Sequence, residues 1–105
     1  MNRLRSRIVL EQRVITSDTG GGGTKAWQSL ATVWAEIIPL AQTERGEAEQ
    51  TRMQTAYDIT IRYRTGVTSD LRVLYLNTPL AIRSVIDVDL HHRWLRLHCE
   101  ADGGD

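Results

Sequence analysis

The strongest pattern along the chain is an alternation of apolar and polar positions with a period of two. In Thr55–Arg64, Tyr57, Ile59, Ile61 and Tyr63 alternate with Asp58, Thr60, Arg62 and Arg64. Side chains of a strand point to opposite faces in turn, so this segment predicts a strand with one buried face. Ile8–Ile15 alternates more loosely, with Ile8, Leu10 and Val14 on one face and Glu11 and Arg13 on the other. Leu71–Leu76, Leu80–Val88 and Arg93–Glu100 complete a C-terminal series. In the last, Leu95, Leu97 and Cys99 alternate with Trp94, Arg96 and His98. Turn signals separate these runs: Gly66 within TGVTSD, Asn77-Thr78-Pro79, and Asp89–His92. Ala26–Leu40 fits either a helix, through Leu30, Val33, Trp34 and Ile37, or a strand with Val33, Ala35 and Ile37 on one face. Its β-branched and aromatic content and Pro39 favour a long strand, bent near Ser29.

Two segments break the pattern. Ser17–Lys25 contains four consecutive glycines, Gly20–Gly23, and reads as a mobile hairpin connection. It lacks the GK[ST] ending of a phosphate-binding loop. Thr43–Gln54 is polar and rich in helix formers, opposed only by Gly46. It reads as a long excursion between strands, with one or two helical turns from Glu47. The expected fold is therefore all-β: a small antiparallel barrel of about six strands with a long inserted loop, in one domain spanning 1–105 and ending in a flexible tail, 101–105.

Composition narrows the function. A length of 105 residues suits one domain with a thin core. The 13 basic and 13 acidic residues cancel, which argues against a free-standing nucleic-acid binder. Lys25 is the only lysine. Genomic base composition explains an arginine bias, and so does a role in protein interfaces, where arginine pairs bidentately. Cys99 is the only cysteine, so no intrachain disulfide forms, and its apolar run predicts a buried, inert thiol. The chain shows neither a secretory signal nor a membrane-spanning run.

Candidate chemistry is sparse. Asp87, Asp89, His91 and His92 could converge in a turn as metal ligands, but adjacent histidines on a strand point to opposite faces, and a solvated turn explains them equally. Glu44, Glu47 and Glu49 have no apolar pocket around them to raise a pKa. No nucleophile elbow is present. Neither catalysis nor a cofactor or metal is expected.

The order and spacing of these segments resemble the phage head–tail joining family, the connectors or stoppers. The matching stretches are LRSRIVLEQ at Leu4–Gln12, AWQSLATVWAEIIPL at Ala26–Leu40 and YDITIRYRTGVTSDLRVLY at Tyr57–Tyr75. LAIRSVIDVD at Leu80–Asp89 and RWLRLHCE at Arg93–Glu100 follow. The glycine run is longer than the usual turn at that place. The resemblance implies a barrel subunit that forms a ring, with six copies in relatives, below the portal and its adaptor. Packaged double-stranded DNA would pass through the lumen, and a tail terminator or tail tube ring would dock below. The site would be the neck of a phage or gene transfer agent particle assembled in the bacterial cytoplasm. It further implies that Ala41–Gln54 projects to the lumen as a gate, through Glu44, Arg45, Gly46, Glu47, Glu49, Gln50 and Arg52. Arg62, Arg64 and Arg72, on strand faces, are expected at subunit contacts. Two alternatives stay open: a nucleic-acid-binding small barrel, and another neck or tail ring such as an adaptor or terminator.

Overall fold

A computed structural model describes residues 4–17, 23–45 and 51–101, the side chains of 16, 17, 23–25, 41–45 and 51–54 excepted. The strands are β1 (Ser6–Ser17), β2 (Gly23–Arg45), β3 (Thr51–Arg62), β4 (Arg72–Tyr75), β5 (Thr78–Asp87) and β6 (Trp94–Ala101). They close into an antiparallel barrel in the order β1-β2-β3-β6-β5-β4. Among the described residues there is no α-helix, only a short 3-10 turn at Val88–Leu90.

The alternating apolar positions fill the barrel. Ile8, Leu10, Ala35, Ile59, Ile61, Val73, Leu80, Leu97 and Cys99 are almost wholly excluded from solvent. Each comes from a strand whose opposite face is polar, as closure of a two-faced sheet requires. The loop from Tyr63 to Leu71 folds over one mouth and buries Val67 and Leu71 as a plug. It is tied down by Tyr63 N–H donating to the Arg93 carbonyl at 2.9 Å and by Leu71 N–H donating to the Thr68 carbonyl at 3.1 Å. Gly66, with φ +85°, supplies the left-handed position that this loop needs.

Strand β2 organises the molecule. Its N-terminal half, through Ala35, pairs with β1, and its C-terminal half, from Ala35 onward, pairs with β3. Leu30 has no partner across from it, because Leu10 faces Ala31 and Glu11 faces Ser29. That bulge bends the strand at the expected place. Pro39, opposite Tyr57, lies where β2 is paired on one side only, the edge setting in which a strand tolerates proline.

The expected loop between strands is instead a β-ladder. β2 and β3 stay paired through Ala41↔Thr55, Gln42↔Gln54, Thr43↔Met53 and Glu44↔Arg52 as far as Arg45↔Thr51. The helical turns expected from Glu47 do not survive at Thr51–Gln54, which belong to β3; residues 46–50 lie outside the described residues. Helix propensity is a weak prior, and continuation of a ladder already nucleated in the barrel overrides it. Smaller shifts occur at β4, which excludes Leu71 and Leu76. Its turn uses Leu76 and Asn77, both at positive φ (51° and 64°), rather than Asn77-Thr78-Pro79. This is the geometry of a two-residue hairpin turn. Ala101 belongs to β6, so the rest of the expected tail, 102–105, lies outside the described residues, as does the connection at 18–22.

Candidate functional site

Two features leave the compact barrel. β1 pairs with β4 only from Val9↔Leu74 to Glu11↔Arg72, so Gln12–Ser17 and Gly23–Gln28 continue as a two-stranded ribbon. At the other end of β2, β6 accompanies β3 no farther than Ala56↔Glu100. Beyond it, Ala41–Arg45 and Thr51–Thr55 form a second two-stranded ribbon. Glu44, Arg45 and Arg52, expected in a gating loop, stand on this ribbon, and Gly46, Glu47, Glu49 and Gln50 lie outside the described residues.

The outer wall carries a pattern of arginine and tryptophan. Arg7 pairs across strands with Trp34, and its guanidinium lies 4.7 Å from the Trp34 ring centre. Arg62 pairs with Trp94 at 5.3 Å in the same manner. Ala35 faces Ile61, so Trp34 and Arg62 are the next positions along those two strands, and they line one cavity. That cavity, about 490 Å³, is bordered by Leu4, Val33, Trp34, Arg62, Tyr63 and Arg64. Beyond Trp94 a second groove is bordered by Glu36, Thr60, Asp89, His91, Arg93 and Arg96. Trp34 is 49% exposed, and Ile38 and Ile86, also on outward positions, are exposed.

A separate cluster surrounds Trp27. Arg13 and Arg72 lie 5.0 Å and 4.5 Å from its ring. Arg72 Nε also donates to Glu11 Oε1 at 2.6 Å. Of the arginines expected at subunit contacts, Arg62 is exposed and Arg64 half-buried beside the cavity. Arg72 clamps the barrel seam where β1 meets β4.

Several other titratable groups have structural partners. Asp87 accepts from the His92 backbone N–H at 3.1 Å, and the His92 ring stacks on Tyr63. Among the described residues no three His, Cys, Asp or Glu side chains gather as metal ligands. His98 Nδ1 lies 3.1 Å from Asp58 Oδ1 on the outer wall. Cys99 is buried, and its thiol is pushed up to about 12 by loss of solvent and by the nearby Asp58 charge. Such a thiol is unreactive, as its apolar run implied. No described helix is long and apolar enough to cross a membrane. The Arg–Trp pairing was not visible in the sequence, because no local spacing links Arg7 to Trp34 or Arg62 to Trp94.

The described residues thus form a barrel with two ribbons. The model of the phage head completion protein family matches residues 1–102. The chain belongs to that family. Among solved structures, a chain of the virion of a native gene transfer agent particle superposes with TM-score 0.74 and 23% identity, covering 96% of each chain. The solution structure of protein SF1141 from Shigella flexneri 2a gives TM-score 0.77 and 22% identity, covering 100% of this chain and 98% of that one. At these identities the likeness is one of fold. No curated protein matched in sequence. Membership of the head completion family makes this chain a structural component of a phage or phage-like particle.

Proposed function

We propose that this head completion protein is a stopper subunit at the head–tail junction. Copies, six by analogy with relatives, form a ring below the portal adaptor and above the tail terminator or tube. The ring extends the channel for packaged double-stranded DNA, holds that DNA in the head and offers the surface on which the tail docks. The subunit works mechanically, without catalysis or cofactor, in the neck of a particle assembled in the bacterial cytoplasm.

The observation that carries this reading is the β2–β3 ribbon. Among the described residues it continues past the last β6 pairing at Ala56↔Glu100 as two strands. An isolated two-stranded ribbon is marginally stable alone and changes shape at low cost. Ribbons from several copies converging on an axis would narrow the channel and retract on tail docking. The segment 44–51 carries Glu44, Glu47 and Glu49 against the one cation Arg45, so its net charge is negative. Like charge keeps DNA from adhering to the gate.

Replacing Arg45–Thr51 by Asn-Gly, which closes a two-residue hairpin on the Glu44↔Arg52 pair, tests this. The barrel should melt within a few degrees of wild type. Particles should lose DNA or fail to bind tails, read by nuclease protection of packaged DNA and by electron microscopy. DNA-filled particles with working tails would refute the gate.

A further inference from the structure

The outer wall carries charge that its own fold leaves uncompensated. Arg7, Arg62, Arg64, Arg93 and Arg96 lie along the row that runs from Arg7 and Trp34 through Arg62 to Trp94 and on into the adjoining groove. The ion pairs formed by arginine among the described residues are Arg72–Glu11 and Arg83–Glu100, both elsewhere. Two carboxylates, Glu36 and Asp89, share the groove. Five arginines against two carboxylates leave the stripe a surplus of three positive charges. The chain as a whole is neutral. The rest of the chain therefore carries an equal surplus of negative charge.

We infer that the Arg7–Trp34–Arg62–Trp94 stripe is the basic half of a head-to-tail contact between copies of this chain, receiving carboxylates from the next copy. The inference rests on the ring reading above. In a cyclic assembly each subunit presents two different faces to its neighbours, so charge separated on one chain is reunited across every contact. Stacking against a tryptophan covers one face of a guanidinium and leaves its N–H edge free, which suits bidentate pairing with a carboxylate. Exposed arginine and tryptophan are the residue types on which protein interfaces concentrate their binding energy. Nucleic acid is the less suitable occupant. Glu36 and Asp89 would repel phosphates, and the exposed Ile38 and Ile86 would gain nothing from a sugar–phosphate backbone. Arg72 drops out of the contact, since Glu11 already neutralises it.

The near-absence of lysine supplies a clean test. Arg62→Lys places an amine in the stripe of a chain whose only other side-chain amine is Lys25. Particles carrying this variant are treated with a zero-length carbodiimide cross-linker, and the adducts are mapped by mass spectrometry. The expected product joins the new amine to a carboxylate of a second copy. In the Arg62→Lys background, Arg7→Glu should lower copy-to-copy cross-links from position 62 at least tenfold without shifting the melting temperature of the purified chain, while Arg83→Glu in the same background leaves them unchanged. Adducts exclusively to another virion protein, or no adduct at position 62 in particles that contain several copies, would overturn the contact. Loss of DNA binding by Arg7→Glu with cross-linking intact would reassign the stripe to phosphate. Particles holding a single copy would instead overturn the ring reading itself.

Discussion

The two ribbons that extend β2 look alike in topology and differ in how they are held. The one built from Gln12–Ser17 and Gly23–Gln28 carries Trp27, which is packed against Arg13 on the same ribbon and Arg72 on β4. A side chain thus fastens it to the barrel wall. The one built from Ala41–Arg45 and Thr51–Thr55 continues on backbone pairing beyond Ala56↔Glu100, the last pair of β3 with β6 among the described residues. One strand thus supplies both ribbons, and a side chain fastens the first of them to the wall. Hydrogen bonding gives both ribbons their shape, while packing against a third element decides which is rigid.

The largest effect should come from removing the foundation that both ribbons share. Ile59 is fully buried and faces Ile37 on β2 and Leu97 on β6. Ile59→Ala should cost about 3 kcal/mol of unfolding free energy, since it removes buried methylenes and leaves a cavity. A urea midpoint close to wild type would show that the barrel core is not what anchors β2.

Loosening the fastened ribbon should make the two alike. Trp27→Ala removes two arginine stacks and a large apolar contact, at a cost of about 2 kcal/mol. Amide exchange at Gln12–Ile15 should then accelerate more than tenfold and approach the rates of residues 41–45. Unchanged exchange would mean that the ribbon is held by something other than Trp27.

Cys99 reports on the base of the second ribbon, because it faces Tyr57 in the last layers before the ribbon leaves the barrel. Its thiol titrates at about 12 in the folded chain against 9.0 when solvated. The folded state thus favours the protonated form. The associated stability is complete below pH 9 and is lost as pH rises toward 12. At pH 10 the loss should be about 1.4 kcal/mol, seen as a steeper alkaline fall in urea midpoint for wild type than for Cys99→Ala. In native protein at neutral pH the thiol should resist maleimide labelling. Fast labelling would show that movement of the ribbon opens its base.

The smallest change is Arg72→Lys. It keeps the charge but loses the planar stack on Trp27 and the Nε bond to Glu11, a pair only partly exposed to solvent. About 1 kcal/mol is expected. The cost should double if Arg72 also closes the three-residue seam between β1 and β4, which thermal melts at two ionic strengths can separate.

Most of the barrel was legible in the sequence because period-two alternation depends on burial of one face, and burial is local to each strand. Tyr57–Tyr63 and Leu95–Cys99 show this: the positions expected to face inward do so. Thr51–Gln54 was misread as part of a polar excursion because its composition is that of a helix, and the ladder holding it is set by Ala41–Arg45 across the hairpin. The Arg–Trp stripe was invisible for a related reason. Arg62 was correctly assigned to an outer face, but its neighbour Trp94 is 32 residues away and reaches it only through the β3–β6 register.

The sequence by itself therefore determined the strands, their inward faces, the inert thiol and the kinship with head-joining proteins, since each is written in residue type and order. The tertiary structure decided which strand faces meet: that β2 is shared between two partners, that one ribbon is fastened to the wall through Trp27, and that arginines and tryptophans from four strands form one stripe. Those are properties of register and closure, which depend on pairings between distant segments that no local pattern encodes.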